Sequence, residues 1–194
     1  MRPVALAAAV ALLATACAGT KLTSTWKDPE YHKQPKKILV VTMVWDPKNR
    51  QRFDESLVRL FKARGLDAVA GYDLFPEPRL PEKDVAAPRV RDTGADTVLL
   101  VKLLDKTSNL RYLQGTDYYD PGMYRDWPAY YGAGYATGVD PEYAIAEAKL
   151  FDVETERLIW GALSQTTIQN DRQATFESYT TALFDELTKE RLIP

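Results

Sequence analysis

Lys37–Gly65, KILVVTMVWDPKNRQRFDESLVRLFKARG, is the stretch whose reading decides the fold. From Lys37 to Val44 it is an almost unbroken apolar, β-branched run, the pattern of a strand buried on both faces. Asp46-Pro47 follows, a carboxylate suited to cap a helix and a proline suited to its first turn. Phe53, Leu57, Leu60 and Phe61 then recur at helical spacing, and Gly65 supplies a C-terminal stop. A doubly buried strand followed at once by an amphipathic helix is the opening of a layered α/β sheet.

The downstream residues extend the pattern. Leu66–Ala70 reads as a short strand. After the proline-rich loop at 76–81 comes a second helix, weakened by Pro88 and ended by Gly94. Asp96–Leu104, DTVLLVKLL, is a third strand. The order β-α-β-α-β favours parallel pairing through crossovers.

The second half is of another kind. In Glu142–Asp152, Ala144, Ala146, Ala148 and Leu150 fall on one face, and Tyr143, Ile145, Glu147, Lys149 and Phe151 on the other. The small alanines would let a helix pack close. Ala and Glu also favour helix, but the short run and the turn after it favour a strand. Residues 152–157 turn into Leu158–Ile168, giving an antiparallel hairpin. Asn170 or Asp171 caps a last helix with Phe176, Thr180, Leu183 and Leu187 in register. The expected fold is therefore α/β: a single-domain mixed sheet, β-α-β-α-β, then an insertion, a β-hairpin and a C-terminal helix.

That insertion, over about 111–140, contains YYDPGMYRDWPAYYGAGY at 118–135. Its glycines and prolines preclude a regular helix or strand. Tyr118, Tyr119, Tyr124, Trp127, Tyr130, Tyr131 and Tyr135 form the candidate binding surface. Rigid amphipathic rings suit a protein contact, stacking on sugars, or the lipid headgroup level. The same rings could instead fold back to cover the domain's own sheet.

Ahead of the first buried strand, Gly19–Lys37 is polar, with an edge strand expected around Leu22–Trp26. The extreme N-terminus has one basic residue, Arg2, then roughly 13 uncharged apolar residues from Val4 to Ala16, short of the ~20 that span a bilayer. The run ends in Thr15-Ala16-Cys17-Ala18, which resembles the lipobox of bacterial lipoproteins. The resemblance implies cleavage before Cys17 and a diacylglycerol on its thiol. Ala18 after the cysteine resembles an outer-membrane sorting signal in a diderm cell, which implies the periplasmic face of the outer membrane. The resulting division is a signal peptide at 1–16, a lipid-anchored leader or tether at 17–36, and one α/β domain at 37–194.

Cys17 is the only cysteine and His32 the only histidine. An exported domain without a disulfide is held by its own core. The formal net charge of −2 argues against nucleic acid as a partner. Membrane attachment would come from acyl chains on Cys17. The catalytic inventory is thin. There is no second His or Cys for zinc, no nucleophile-elbow motif, and no glycine-rich phosphate loop. A serine triad would need His32, which sits in a polar loop segment. Asp117, Asp120, Asp126 and Asp140, in or beside the aromatic segment, could pair as in a glycosidase or bind calcium. Loop aspartates also cap turns, and with 27% of the chain charged their proximity is expected by chance. The expectation is a non-enzymatic protein without metal or cofactor that binds another envelope macromolecule, a protein or a glycan. The alternative is one that binds or cleaves peptidoglycan or another polysaccharide.

Taken together, the lipobox, TSTWKDP, KKILVV, ARGLDAV, GADTVLLVKL, the Tyr/Gly-rich interruption and AKLFDVETERLIWGALSQT resemble a group of uncharacterised bacterial lipoproteins. More distantly the chain is similar to small α/β domains of periplasmic assembly proteins. These include the N-terminal domain of the Tol translocation β-propeller protein, the curli secretion lipoprotein and the lipoprotein activators of penicillin-binding proteins. Their hairpins read D-x-x-T-G-x-x-x-W, which Asp152, Thr155 and Trp160 match. Glu156 stands where glycine would ease a left-handed turn.

Overall fold

A computed structural model describes residues 19–44, 46–76, 81–104 and 143–194. Strand β1 spans Thr20–Lys27, β2 Lys37–Met43, and helix α1 Pro47–Ala63. Then come β3 Asp67–Ala70, α2 Gly71–Leu74, α3 Lys83–Asp92 and β4 Thr97–Leu104. The hairpin strands are β5 Tyr143–Asp152 and β6 Leu158–Thr167, and the C-terminal helix α4 is Arg172–Lys189. The six strands form one mixed sheet in the order β1-β6-β5-β4-β2-β3. β2 is parallel to β3 and to β4, and the other pairings are antiparallel. The parallel half is thus the crossover unit read from the sequence, and the antiparallel half is the hairpin with β1 added at its edge.

The local signals act as their chemistry requires. Asp46 accepts a hydrogen bond from the Lys48 N–H at 3.1 Å, and Asp171 accepts one from Gln173 at 2.8 Å. Each satisfies one of the free donors at the start of α1 or α4. Gly65 closes α1 with φ of +80°. α3 runs through Pro88. The ring removes a single backbone bond, while burial of Ala86, Ala87 and Val90 holds the helix to the sheet. α2 was not anticipated from the sequence. Its first residue, Gly71, lies against β2, where a Cβ would meet the Val40 carbonyl oxygen and Val41 Cγ2, each at 2.7 Å.

Within the 142–152 segment, Tyr143–Asp152 is a strand, as its turn and length suggested. Its alternation places Ala148 and Leu150 with α1 and α4, and Phe151 with α3. The sheet separates two cores. Ile38, Val40, Leu99, Val101 and Trp160 meet Leu57 and Phe61 of α1 and Leu183, Phe184 and Leu187 of α4. The Phe61 and Phe184 rings pack with centroids 4.6 Å apart, within the range of favourable aromatic contact. On the opposite face Leu39, Val41, Met43, Val98 and Leu100 meet Phe75 and α3.

The sheet begins at Thr20 rather than at residue 37. β1 forms the antiparallel edge strand expected around Leu22–Trp26, pairing from Thr20↔Thr166 to Lys27↔Trp160. Residues Thr20–Lys27 of the 17–36 leader are therefore sheet.

Candidate functional site

Cys17, the seven aromatic positions Tyr118 to Tyr135, and the four loop aspartates lie outside the described residues. The structure does place the points at which their segments join the sheet. Leu104 is the last residue of β4 and Tyr143 the first of β5. Register puts Leu104 opposite Ile145, Tyr143 opposite Thr167, and Thr20 opposite Thr166. Met43, the last residue of β2, lies opposite Lys102. All four points are at one end of the sheet. The segment after Leu104 leaves it, the segment before Tyr143 returns to it, and the N-terminal segment enters it.

An apolar cleft of about 270 Å³ sits at this end, on the α1/α4 face. Val101 and Leu103 of β4, with Ala144 and Ala146 of β5, form its floor. Phe53 and Leu57 stand on the α1 side, and Phe176 and Tyr179 on the α4 side. The Phe53 and Phe176 rings join the two helices with centroids 5.1 Å apart. The small alanines, expected to bring a helix close, do so at Ala148. At Ala144 and Ala146 they instead line open space.

Two sequence features position this cleft. β2 feeds β3 through α1, and the chain then returns through α2 and α3 to β4 on the other side of β2. The carboxyl end of β2 is therefore the point where strand order reverses, which leaves a crevice in open α/β sheets. The helices α1 and α4 both start at this end, following β2 and β6. Thr42, Thr166, Thr175 and Arg172 are the other polar-side-chain residues lining the cleft besides Tyr179. The Tyr179 hydroxyl is buried and has no hydrogen-bond partner among the described residues. Burial pushes its ionisation far upward, so it stays a donor.

Thr42 links the cleft wall to a buried carboxylate. Asp54 of α1 accepts hydrogen bonds from the Thr42 and Tyr72 N–H groups, each at 2.7 Å, and is fully buried. It clamps the end of β2 to α1 and to the start of α2. Removal from water pushes its pKa from 3.8 up to about 6, and the Thr42 hydrogen bonds, the Arg50 charge and the Tyr72 hydrogen bond limit the rise. The sequence reading did not single out Asp54. Its signal was the stripe Arg50, Asp54, Leu57 and Phe61, in which a carboxylate holds a core position of the helix.

The opposite face carries buried charge. Glu147 is 1% exposed, directly opposite Lys102 in the register and 3.3 Å from Lys149. His32, the candidate base, is exposed in a loop. Among the described residues no group of three or more His, Cys, Asp or Glu could hold a metal ion, and no helix is long and apolar enough to cross a membrane.

No protein-family model matches the chain, and no curated protein matches it. Solved structures similar to it include the PelC dodecamer from Paraburkholderia phytofirmans, at 16% identity and TM-score 0.45, covering 83% of this chain and 90% of that one. A variant of that dodecamer matches at 17% identity and TM-score 0.41, covering 75% and 80%. Lipoprotein GNA1162 from Neisseria meningitidis matches at 13% identity and TM-score 0.43, covering 79% of this chain and 97% of that one.

Proposed function

We propose that this chain is a lipid-anchored envelope protein that binds another envelope macromolecule and catalyses no reaction. Cys17 carries the anchor, the protein sits on the periplasmic face of the outer membrane, and the aromatic residues of 118–135 form the contact surface.

One observation carries this reading. β1 begins at Thr20, three residues after Cys17, at the sheet end where the chain leaves at Leu104 and returns at Tyr143. Three residues span at most about 11 Å. An acylated Cys17 would hold that end of the domain close to the bilayer. The aromatic segment would then be presented beside the membrane, where a neighbouring envelope component is in reach. Tyrosine and tryptophan suit such a place because their rings contribute contact area at low entropic cost.

The test has two arms. Cys17→Ser should abolish metabolic labelling with a fatty acid, and labelling that persists would refute the anchor. Pull-downs from membranes would compare wild type with a variant in which Tyr118, Tyr119, Trp127, Tyr130 and Tyr131 are all changed to Ser. Loss of specific partners supports the surface, and identical partner sets refute it.

A further inference from the structure

We propose that the apolar cleft between α1, α4 and the sheet houses an acyl chain of the lipid attached to Cys17 of the same molecule. The inference rests on the anchor reading above and adds a place for part of the anchor within the fold.

Three observations lead to it. The first is position. Thr20 is pinned at the cleft: its N–H donates to the Ser178 hydroxyl at 2.9 Å, and its own hydroxyl meets that of Thr166, a cleft residue, also at 2.9 Å. The Thr167 N–H further donates to the Gly19 carbonyl at 3.4 Å. Only Ala18 separates Cys17 from the described chain, so the Cys17 Cα lies within about 11 Å of the Thr20 Cα.

The second observation is chemistry. The floor and walls are methyl, methylene and ring surface from Val101, Leu103, Ala144, Ala146, Phe53 and Phe176. Such a lining favours hydrocarbon and offers little to a sugar or a charged metabolite. Of the polar lining residues, Arg172 is exposed, and the Thr42 hydroxyl donates to the Arg50 carbonyl at 3.4 Å. Thr166 is engaged by Thr20, and Thr175 accepts from the Gln169 N–H at 2.9 Å. The Tyr179 hydroxyl, which has no partner among the described residues, is a donor for a carbonyl entering with the chain.

The third observation is size. The cleft, at about 270 Å³, is somewhat less than twice an apolar cavity of about 150 Å³ that takes one benzene, which gives room for roughly ten carbons. That suits part of one fatty acyl chain and leaves the remaining chains for the bilayer. A chain tethered this closely also has a high effective concentration at the cleft.

The experiment uses the full-length protein in a bacterium that processes lipoproteins, fed a fatty acid bearing a diazirine near mid-chain. After illumination of intact membranes, intramolecular adducts are mapped by mass spectrometry. The expected adducts join the Cys17 lipid to peptides containing residues 144–146 and 172–179. Ala146→Phe, which fills the floor, should abolish them while fatty-acid incorporation is unchanged. Ala144→Leu is a milder second variant, and thermal melts confirm that each folds. If the fatty acid is not incorporated at Cys17, the anchor reading itself fails and this inference falls with it. If it is incorporated but adducts form only with phospholipid, a second copy or other parts of the chain, this inference alone is refuted.

Discussion

Asp54 shows how much a single side chain can organise. Its two hydrogen bonds tie the last residues of β2 to α1 and to the start of α2, so it supports the wall of the cleft. Its carboxyl titrates near 6 in the folded protein, against an ordinary 3.8. The folded state therefore binds more protons than the unfolded state between those values, and stability falls as pH rises through that window. Two pK units correspond to about 3 kcal/mol. Asp54→Asn removes this dependence but turns an amide NH₂ toward one of the two N–H donors, costing about 1–3 kcal/mol. The variant should be clearly less stable than wild type near pH 4, with the gap narrowing by pH 7. Urea denaturation at both pH values checks this, and a gap that widens with pH would show that burial does not dominate. Asp54 was legible only as a carboxylate in an apolar stripe. Its partners are 12 and 18 residues away, and no local pattern names them.

At the scale of elements, the hairpin turn between β5 and β6 is the clearest case of sequence and structure informing each other. Asp152 accepts from the Thr155 N–H at 2.8 Å and from its hydroxyl at 2.9 Å. Those bonds explain the aspartate and threonine of the turn motif. Glu156, at the position where glycine would ease the turn, adopts φ of +58°. The left-handed region costs a non-glycine residue about 1–2 kcal/mol. The half-exposed ion pair with Lys83 offsets about 0–1 kcal/mol of that. Glu156→Gly should accordingly be neutral to about 1 kcal/mol more stable, and Glu156→Val less stable by about 1–2 kcal/mol, because a β-branched residue fits this region worst. Equilibrium denaturation decides, and a Val variant as stable as wild type would contradict the strain. β5 itself was legible from its alternation and its turn. The alternation already placed Glu147 and Lys149, 3.3 Å apart, on one face, but the register of Glu147 against Lys102 became visible only when β4 was laid alongside.

For the whole molecule, the consequential fact is that one end of the sheet collects β1's start, β4's end and β5's start. The far end carries the β5–β6 turn. A ten-residue strand such as β5 is about 34 Å long at 3.4 Å per residue, so under the proposed Cys17 anchor the two ends would stand at different heights above the membrane. A fluorophore at Lys21→Cys should be quenched by a headgroup-bound quencher in vesicles carrying the lipidated protein. One at Glu154→Cys should not. Inserting ten Gly/Ser residues between Ala18 and Gly19 adds a flexible spacer of about 17 Å and should relieve the quenching at position 21. Equal quenching at both sites would mean that the domain does not stand on this end.

The sequence by itself determined the element types and most of their bounds. Periodicity, caps and helix stops are local properties, set within a few residues by sterics, hydrogen bonding and burial on one face. It also determined the mixed α/β class, because crossover units and hairpins differ in connection length. Tertiary structure alone decided that the edge strand in the leader pairs with β6, that Asp54 is buried between three elements, and that the N-terminal entry, the insertion's attachment points and an apolar cleft meet at one end. Those outcomes depend on strand order and register between residues outside any local window, from the 12 and 18 positions that separate Asp54 from its partners to the far larger gap between Thr20 and Thr166, and no short window of sequence encodes which strand a given strand will lie beside.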